Sequence, residues 1–357
     1  ILEFAEKSML PIIAIWDGEG ERAEEGIDSL GPVGEILNLL TACSGRIPII
    51  SVVLGDVKGI STLAVGLSDF TVMDSSNGNL LLSGNSISNS ESKDMAKTEF
   101  QNTRSGIVSL FAEDENIAFE MVSSLLSFLP DNMLSSPEVR LNGDLWNRKC
   151  NFLDEITSNS EAPYDIRTII YEIMDKETFL EIMSNFANNV IVGFARLDGN
   201  AVGIIANQPS VLAGFIDTDS SMKAARFIQT CDCFNIPVIT IVDSPGFLPN
   251  AAQERNGLIK HAAQLLFAYS EATIPKLSLI IGKAYGGAYM AMGGKFAGSD
   301  YNVSWPSGNF LLDYDKDTTN KDNQKHIQTI NSGNGIANSL IAAKYGLVDD
   351  IISPTKS

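Results

Sequence analysis

The stretch that decides the fold is IPKLSLIIGKAYGGAY, residues 274–289. Its first part, up to Gly282, is an apolar run of strand length that follows a proline, as is typical of a strand buried in a parallel sheet. Its second part contains two adjacent glycines, Gly286 and Gly287, and then small residues that predict a helix from Ala288 onward. The stretch therefore predicts a buried strand that passes through a glycine turn into a helix.

A second copy of this pattern lies in the first half of the chain. Residues 47–55 match residues 274–282, and each strand is followed by Gly-x-x-x-Gly, which places Gly59 where the second half has Gly286. Each copy continues with a helix of small residues and then with a Ser-Asp-aromatic triplet. The helices are predicted at 61–67 and 288–294, and the triplets stand at 68–70 and 299–301.

An earlier apolar run precedes each copy and ends in an aspartate. Residues 9–17 and 235–243 contain a proline, a run of strand length and then Asp17 or Asp243. The prolines of successive runs are 37 residues apart in the first half and 38 in the second. The chain is therefore predicted to be α/β, built from two copies of one unit. Residues 131–163, rich in Asn, Ser, Pro and acids, are predicted to be a surface linker between them.

Composition excludes several classes of protein. The 357 residues carry a net charge of −19, which argues against nucleic-acid binding or adhesion to an anionic membrane, since both need a basic face. The apolar runs are far shorter than the roughly 20 residues of a membrane span, so no membrane insertion is predicted. The four cysteines lack CxxC spacing, so we expect no metal site and free, buried or half-buried thiols. We expect a cytoplasmic location, with the mitochondrial matrix as the alternative. Because the chain opens on Ile1, we expect further sequence to precede it.

The glycine turn is predicted to bind developing negative charge. Backbone amides of Gly287 and Ala288 would point outward where the helix begins, and such donors stabilise an oxyanion. A tight turn that only packs closely is the alternative, but the equivalent turn in the other half favours the functional interpretation. In that half Ile60 replaces Gly287, and its β-branched side chain would crowd a ligand.

At these residues the sequence resembles the carboxyltransferase (β) subunits of biotin-dependent acyl-CoA carboxylases and the α subunits of methylmalonyl-CoA and glutaconyl-CoA decarboxylases. The resemblance covers nearly the whole chain and is closest in the second half. Its motifs are residues 193–199, 205–209, 223–227, 243–249, 283–289 and 304–306, with weaker versions at 17–26 and 102–106.

The resemblance implies two tandem crotonase-like (ββα spiral) domains related by internal duplication. Residues 1–130 would be an N-terminally incomplete domain that binds acyl-CoA, and residues 164–357 the domain on the biotin side. The implied activity moves CO2 between N-carboxybiotin and the α-carbon of a short acyl-CoA of the propionyl/methylmalonyl, acetyl/malonyl or glutaconyl type. Biotin would arrive on a separate carrier protein or domain. The implied assembly is a homo-oligomer, at least a dimer and usually a hexamer.

The resemblance also assigns roles to particular residues. One oxyanion hole would be formed by Gly59 and Ile60 and the other by Gly287 and Ala288. Met290 falls where the family's preference for an acyl group is influenced. The substrate-binding residues would be Gly20, Arg22, Gly286, Tyr289 and Met290.

Two other functions stay open on the sequence. The chain could be a diverged, catalytically weak structural or regulatory subunit, as Ile60 suggests. A hydrolase or isomerase of the wider crotonase group would need a placed acid or base, and no such residue is identified. The two histidines, His261 and His326, lie in a helix face and in a polar stretch, so neither is predicted to be catalytic. Carboxyl transfer does not demand a side-chain base, because the biotin enolate can take the proton.

Overall fold

The chain folds into two compact units of mixed α/β structure. The computed structural model describes residues 1–18, 20, 23–83, 95–144, 147–150, 153, 164–312 and 337–357. The first unit contains Ile1–Val139 together with Ile182–Ala187 and Cys233–Ile236. The second contains Arg140–Glu181, Asn188–Asp232 and Pro237–Ser357.

The first unit is built on a four-stranded parallel sheet in the order β1-β2-β4-β6, with a separate pair β3-β5. The strands are β1 (Ile12–Trp16), β2 (Ile49–Val53), β3 (Asp56–Lys58), β4 (Phe70–Asp74), β5 (Asn79–Leu81) and β6 (Leu110–Ala112). The helices are α1 (Leu2–Ser8), α2 (Leu30–Cys43), α3 (Ser61–Gly66), α4 (Thr98–Phe100) and α5 (Glu115–Leu126), with a 3-10 turn at Ala23–Ser29 and a π turn at Gln101–Ser105.

The second unit is built on a nine-stranded sheet whose main path is β14-β13-β11-β10-β9-β8-β7, with β12 and β15 branching from β11. Its strands are β7 (Leu180–Ile182), β8 (Val190–Leu197), β9 (Asn200–Asn207), β10 (Val238–Ser244), β11 (Lys276–Tyr285), β12 (Tyr301–Ser304), β13 (Asn309–Leu311), β14 (Ala337–Asn338) and β15 (Asp350–Ile351). Its helices are α6 (Ile166–Ile173), α7 (Thr218–Cys233), α8 (Ala251–Arg255), α9 (Leu258–Glu271), α10 (Gly286–Ala291) and α11 (Ser339–Lys344), with 3-10 turns at Leu212–Gly214, Lys295–Ala297 and Pro354–Lys356.

The apolar runs read from the sequence are the central strands. Every residue of β2 is buried, and β10 is buried except at Asp243, because each lies between two neighbouring strands and under packed side chains. Around β10 and β11 the core of the second unit includes Ile204, Ile241 and Trp305. The predicted small-residue helices form at α3 and α10, the second of which begins two residues before the predicted Ala288.

Both units pair their predicted strands in the same register. The residue after the first proline pairs with the residue after the second, Ile12 with Ile49 in one unit and Val238 with Lys276 in the other. The same backbone hydrogen bond closes each pair: Ile12 N–H donates to the Pro48 carbonyl at 2.8 Å and Val238 N–H to the Pro275 carbonyl at 2.9 Å.

The burial predicted for the cysteines is confirmed, since Cys43, Cys150 and Cys231 are buried and Cys233 is half-buried. Within the described part of the chain, no helix has both the length and the apolar character that crossing a bilayer requires.

Candidate active site

The glycine turn of the second unit lies where β11 ends and α10 begins. Gly286 is the first residue of α10 and has φ of +54°, in the region that residues with a side chain rarely adopt. A Cβ placed on Gly286 would come within 3.0 Å of the Leu312 carbonyl oxygen. Conformation and close backbone approach therefore both require glycine here.

The next two amides are available to a ligand. The N–H groups of Gly287 and Ala288 belong to the first turn of α10 and have no acceptor among the residues that the structure describes. Gly287 is exposed, whereas the Ala288 side chain is fully buried. The Gly287 amide is thus at the surface, and the adjacent Ala288 amide belongs to a buried residue.

An apolar cavity of about 290 Å³ adjoins this turn. Met290 lines it and is 39% exposed, so its thioether borders both the cavity and solvent. The other lining residues come from β11, α10, β13 and the segment from Ala337 onward: Ala284, Gly286, Tyr289, Phe310, Leu311, Leu312, Ala337, Ile341, Ala342, Tyr345 and Leu347.

Tyr289 forms one wall of the cavity with its ring. Its hydroxyl donates to the Leu347 carbonyl at 3.1 Å, and its ring meets Phe310 edge-on with 5.5 Å between centroids. Burial raises the pKa of Tyr289 above its ordinary value, so the phenol remains a donor. These contacts fix the ring in place beside the glycine turn.

The corresponding turn of the first unit joins β3 to α3. Gly59 has φ of +68°, but its N–H donates to the Leu81 carbonyl at 3.1 Å and so extends the β3–β5 pairing. The Ile60 N–H, directly before α3, has no acceptor in the described segments. Of the two predicted donors in this unit, Ile60 carries the amide that is available.

Two substrate-binding predictions concern the loop after β1. Gly20 has φ of +103°, and a Cβ on it would overlap the Lys58 carbonyl, so Gly20 lies against the residue that precedes Gly59. Arg22 lies outside the described residues. The predicted residues thus form two groups, Gly20 with the first turn, and Gly286, Tyr289 and Met290 with the second.

Most of the residues that line the cavity were not predicted from the sequence. Phe310 and Leu311 follow Gly308-Asn309, just as Leu80 and Leu81 follow Gly78-Asn79, and β13 pairs with β11 in the register that β5 has with β3. That repeated Gly-Asn-apolar-Leu pattern could have extended the alignment of the two halves. The residues beyond Ala337 carry no comparable signal.

The side-chain hydrogen bond of His261 lies within its own helix and involves neither glycine turn. It lies in α9, and its ring Nδ1 contacts Gln264 Oε1 at 2.9 Å, one turn along the same helix. His326 lies outside the described residues. Neither observation supplies a side-chain acid or base for the turn at Gly287.

A comparison with models of protein families matches the carboxyl transferase domain over residues 1–357. The chain belongs to the carboxyl transferase family. The predicted family is confirmed, and its members include carboxylase and decarboxylase enzymes.

This carboxyl transferase is similar to the following relatives over almost its whole length. It is 36% identical to the propionyl-CoA carboxylase β chain of Saccharopolyspora erythraea, covering 99% of this chain and 71% of that protein. It is 36% identical to the methylmalonyl-CoA decarboxylase α subunit of Veillonella parvula, covering 100% and 72%. Among solved structures it matches the transcarboxylase 12S hexamer, determined with methylmalonyl-CoA bound, at a TM-score of 0.92 and 33% identity, covering 99% and 72%.

Proposed function

We propose that this carboxyl transferase moves CO2 between biotin and the α-carbon of a short acyl-CoA of the propionyl/methylmalonyl type. The proposal rests on the two adjacent amides of Gly287 and Ala288, which have no acceptor among the described residues and adjoin an apolar cavity. The similarity to propionyl-CoA carboxylase and methylmalonyl-CoA decarboxylase subunits supports the choice of thioester.

The turn at Gly286–Ala288 suits the ureido carbonyl of biotin. A carbonyl oxygen that gains negative charge needs converging N–H donors, close access and an apolar wall for the adjoining ring. Gly287 provides access because nothing nearer than the Phe247 ring, at 3.4 Å, meets the position of its Cβ. The Gly287 and Ala288 amides provide the donors, and Tyr289 and Phe310 the wall.

Biotin, on its separate carrier protein or domain, supplies the ureido nitrogen that gives up or accepts the CO2 unit. The chain's own contribution is electrostatic. In one direction the C–N bond between biotin and the carboxyl carbon breaks and a C–C bond to the α-carbon forms, and in the other direction the reverse occurs. In both directions negative charge accumulates on a carbonyl oxygen. Donors that are already oriented stabilise that charge, and loss of one such donor typically costs about 2.7–4 kcal/mol in the activation barrier.

In the first unit the proposed partner is the thioester carbonyl of acyl-CoA. The Ile60 N–H is the available donor, and the Gly59 N–H maintains the turn by its bond to Leu81. Gly20 lies against the same turn, where its lack of a side chain lets the backbone pack against the Lys58 carbonyl. Arg22 stays a predicted contact for a phosphate or carboxylate of this substrate.

We further propose that the two units are crotonase-like domains that arose by duplication. Three pairings support this: the equal register of β1–β2 and β10–β11, of β2–β4 and β11–β12, and of β3–β5 and β11–β13. The domain assignment of residues 1–130 to acyl-CoA, 131–163 to a linker and 164–357 to biotin follows from the family resemblance. We retain a cytoplasmic location as the proposed compartment.

The test is to exchange the side chains that distinguish the two turns. Purified protein is incubated with free biotin and methylmalonyl-CoA, malonyl-CoA or glutaconyl-CoA, and the release of CO2 is followed. Gly287→Ile should lower kcat at least tenfold, because a β-branched side chain would cover the donors. Ile60→Gly should raise activity or leave it unchanged, because it opens the corresponding turn.

A helix glycine with open surroundings supplies the control. A Cβ on Gly34, in α2, would have no neighbour within 4 Å, so Gly34→Ile should leave kcat within twofold. If the wild type neither binds nor turns over any of these thioesters while Ile60→Gly does, the chain is a catalytically weak subunit. Unchanged kcat in Gly287→Ile would contradict the proposed donor site.

A further inference from the structure

The regular pairing of β11 with its neighbouring strands is interrupted near its C-terminal end, just before the glycine turn. β11 pairs with β12 up to Ile280, and with β13 only from Lys283 onward. Its pairing with β10 jumps from Val242–Ile280 to Ser244–Ala284, so that one residue of β10, Asp243, stands opposite residues 281–283. The path of the chain into Gly286–Ala288 is set within this irregular segment.

Hydrogen bonds from side chains to the β11 backbone replace the strand pairing that is missing here. Asp243 Oδ1 accepts the Lys283 N–H at 2.8 Å, which replaces a missing ladder bond. On the other side, the Ser307 hydroxyl donates to the Ile281 carbonyl at 2.7 Å. Lys283 is three residues before Gly286, so its position fixes where the turn begins.

Further hydrogen bonds orient Asp243 itself. Tyr164 donates its hydroxyl to Asp243 Oδ2 at 2.6 Å, and the Asp243 N–H donates to Asn207 Oδ1 at 3.2 Å. Burial beside this carboxylate raises the pKa of the Tyr164 phenol above its ordinary value, which keeps the phenol protonated as a donor. A Cβ on Gly282 would overlap the carboxylate, so glycine is required opposite the aspartate.

The first unit repeats part of the arrangement. Asp17 directly follows β1, as Asp243 follows the apolar part of β10, and a Cβ on Gly55 would overlap the Asp17 carboxylate. Gly55 is four residues before Gly59, as Gly282 is four residues before Gly286. The same aspartate–glycine contact therefore precedes both turns.

We infer that Asp243, oriented by Tyr164, is a positioning residue that aligns the Gly287 and Ala288 donors through its bond to Lys283. It acts through the backbone of β11 and transfers no proton. The inference rests on the proposed function of these donors, and it names the residues on which their alignment depends.

Four variants test the inference. Asp243→Ala removes the acceptor of Lys283 N–H, Asp243→Asn keeps an acceptor oxygen without the charge, and Tyr164→Phe removes the orienting donor. Asp300→Ala is the matched control, because Asp300 Oδ2 accepts the Lys276 N–H at 2.7 Å at the opposite end of the same strand. The measurements are kcat and KM for methylmalonyl-CoA, the melting temperature, and amide hydrogen exchange of residues 283–285.

Asp243→Ala should lower kcat about 10- to 100-fold with KM within twofold, and residues 283–285 should exchange faster. Asp243→Asn should retain at least about a third of wild-type kcat, since Asn can accept from Lys283 and donate to Tyr164. Tyr164→Phe should have a smaller effect than Asp243→Ala. Asp300→Ala should lower the melting temperature while leaving kcat within twofold.

Two results would overturn the inference. An Asp243→Asn variant as inactive as Asp243→Ala would mean that the charge or a proton of Asp243 acts directly. Equal loss of kcat in Asp300→Ala would mean that general destabilisation is responsible. If the wild type shows no CO2 transfer, the proposed function fails separately, and faster exchange of residues 283–285 in Asp243→Ala, but not in Asp300→Ala, still decides whether Asp243 fixes this segment.

Discussion

At the scale of single residues, the backbone carries more of the proposed chemistry than the side chains do. The Gly287 and Ala288 amides have no acceptor among the described residues, because the first turn of a helix has no internal acceptors, whereas the Gly59 amide donates to the Leu81 carbonyl. Sequence alone shows which residues are glycine. It does not show which amide is already bonded, because that depends on a strand 22 residues further along the chain.

A buried lysine gives the stability of the second unit a pH dependence. Lys223, in α7, is 2% exposed, and burial lowers its pKa to about 7, near the Glu181 and Arg167 side chains. An unfolded lysine binds its proton up to a pH of about 10.4. Between these values the unfolded state holds more protons, so the free energy of unfolding should rise with pH.

Lys223→Met should therefore flatten this slope, by up to about 1.4 kcal/mol per pH unit. Urea unfolding at pH 6.5, 8 and 9 measures it. Lys260→Met, at an exposed position of α9, is the control and should keep the wild-type slope. A wild-type slope in Lys223→Met would show that the lysine does not titrate in this range.

At the scale of elements, an aspartate side chain accepts a backbone hydrogen bond at the start of a central strand in each unit. Asp69 Oδ2 accepts the Ile49 N–H at 2.8 Å, and Asp300 Oδ2 accepts the Lys276 N–H at 2.7 Å. Both belong to the Ser-Asp-aromatic triplets that the sequence repeats. The triplet is therefore explained by a hydrogen bond at the end of a strand pair.

Asp69→Ala should lower the free energy of unfolding by about 1–3 kcal/mol, because it leaves the buried amide of Ile49 without an acceptor. Asp69→Asn should retain most of the stability, since its amide oxygen can accept the same bond. Chemical denaturation compares both with Asp28→Ala at an exposed position. Equal losses in Asp69→Ala and Asp28→Ala would contradict the assigned role.

At the scale of the whole molecule, we propose the homo-oligomer that the family resemblance implies. The transcarboxylase 12S structure that this chain matches at a TM-score of 0.92 is described as a hexamer. The chain also exposes large apolar side chains, among them Ile259 at 76% and Phe267 at 58% on α9. Apolar surface of this kind is typical of subunit contacts.

We expect analytical ultracentrifugation to give the mass of six chains, with a dimer as the smallest active species. Dilution should lower specific activity as the assembly dissociates. Phe267→Glu should favour smaller species, because it places a charge where an exposed apolar ring stands, whereas Glu271→Gln at the end of the same helix should not. A fully active monomer would exclude the proposed assembly.

The family, the α/β class, the central strands and both glycine turns could be predicted from the order of the amino acids. These depend on local patterns: apolar runs of strand length, prolines before strands, and glycines where the backbone needs positive φ. The repeat made the signal stronger, because each half supports the interpretation of the other.

The groups that meet at the second turn could not be predicted in this way, because they come from distant parts of the folded chain. Residues beyond Ala337 line part of the cavity, and the inferred alignment of β11 involves Asp243 and Tyr164, which are 79 positions apart in sequence. Such contacts follow from strand register and from packing between distant segments, and neither leaves a periodic trace in the sequence. The pattern thus specifies a glycine turn, while the packed sheet determines which of its amides can face a ligand.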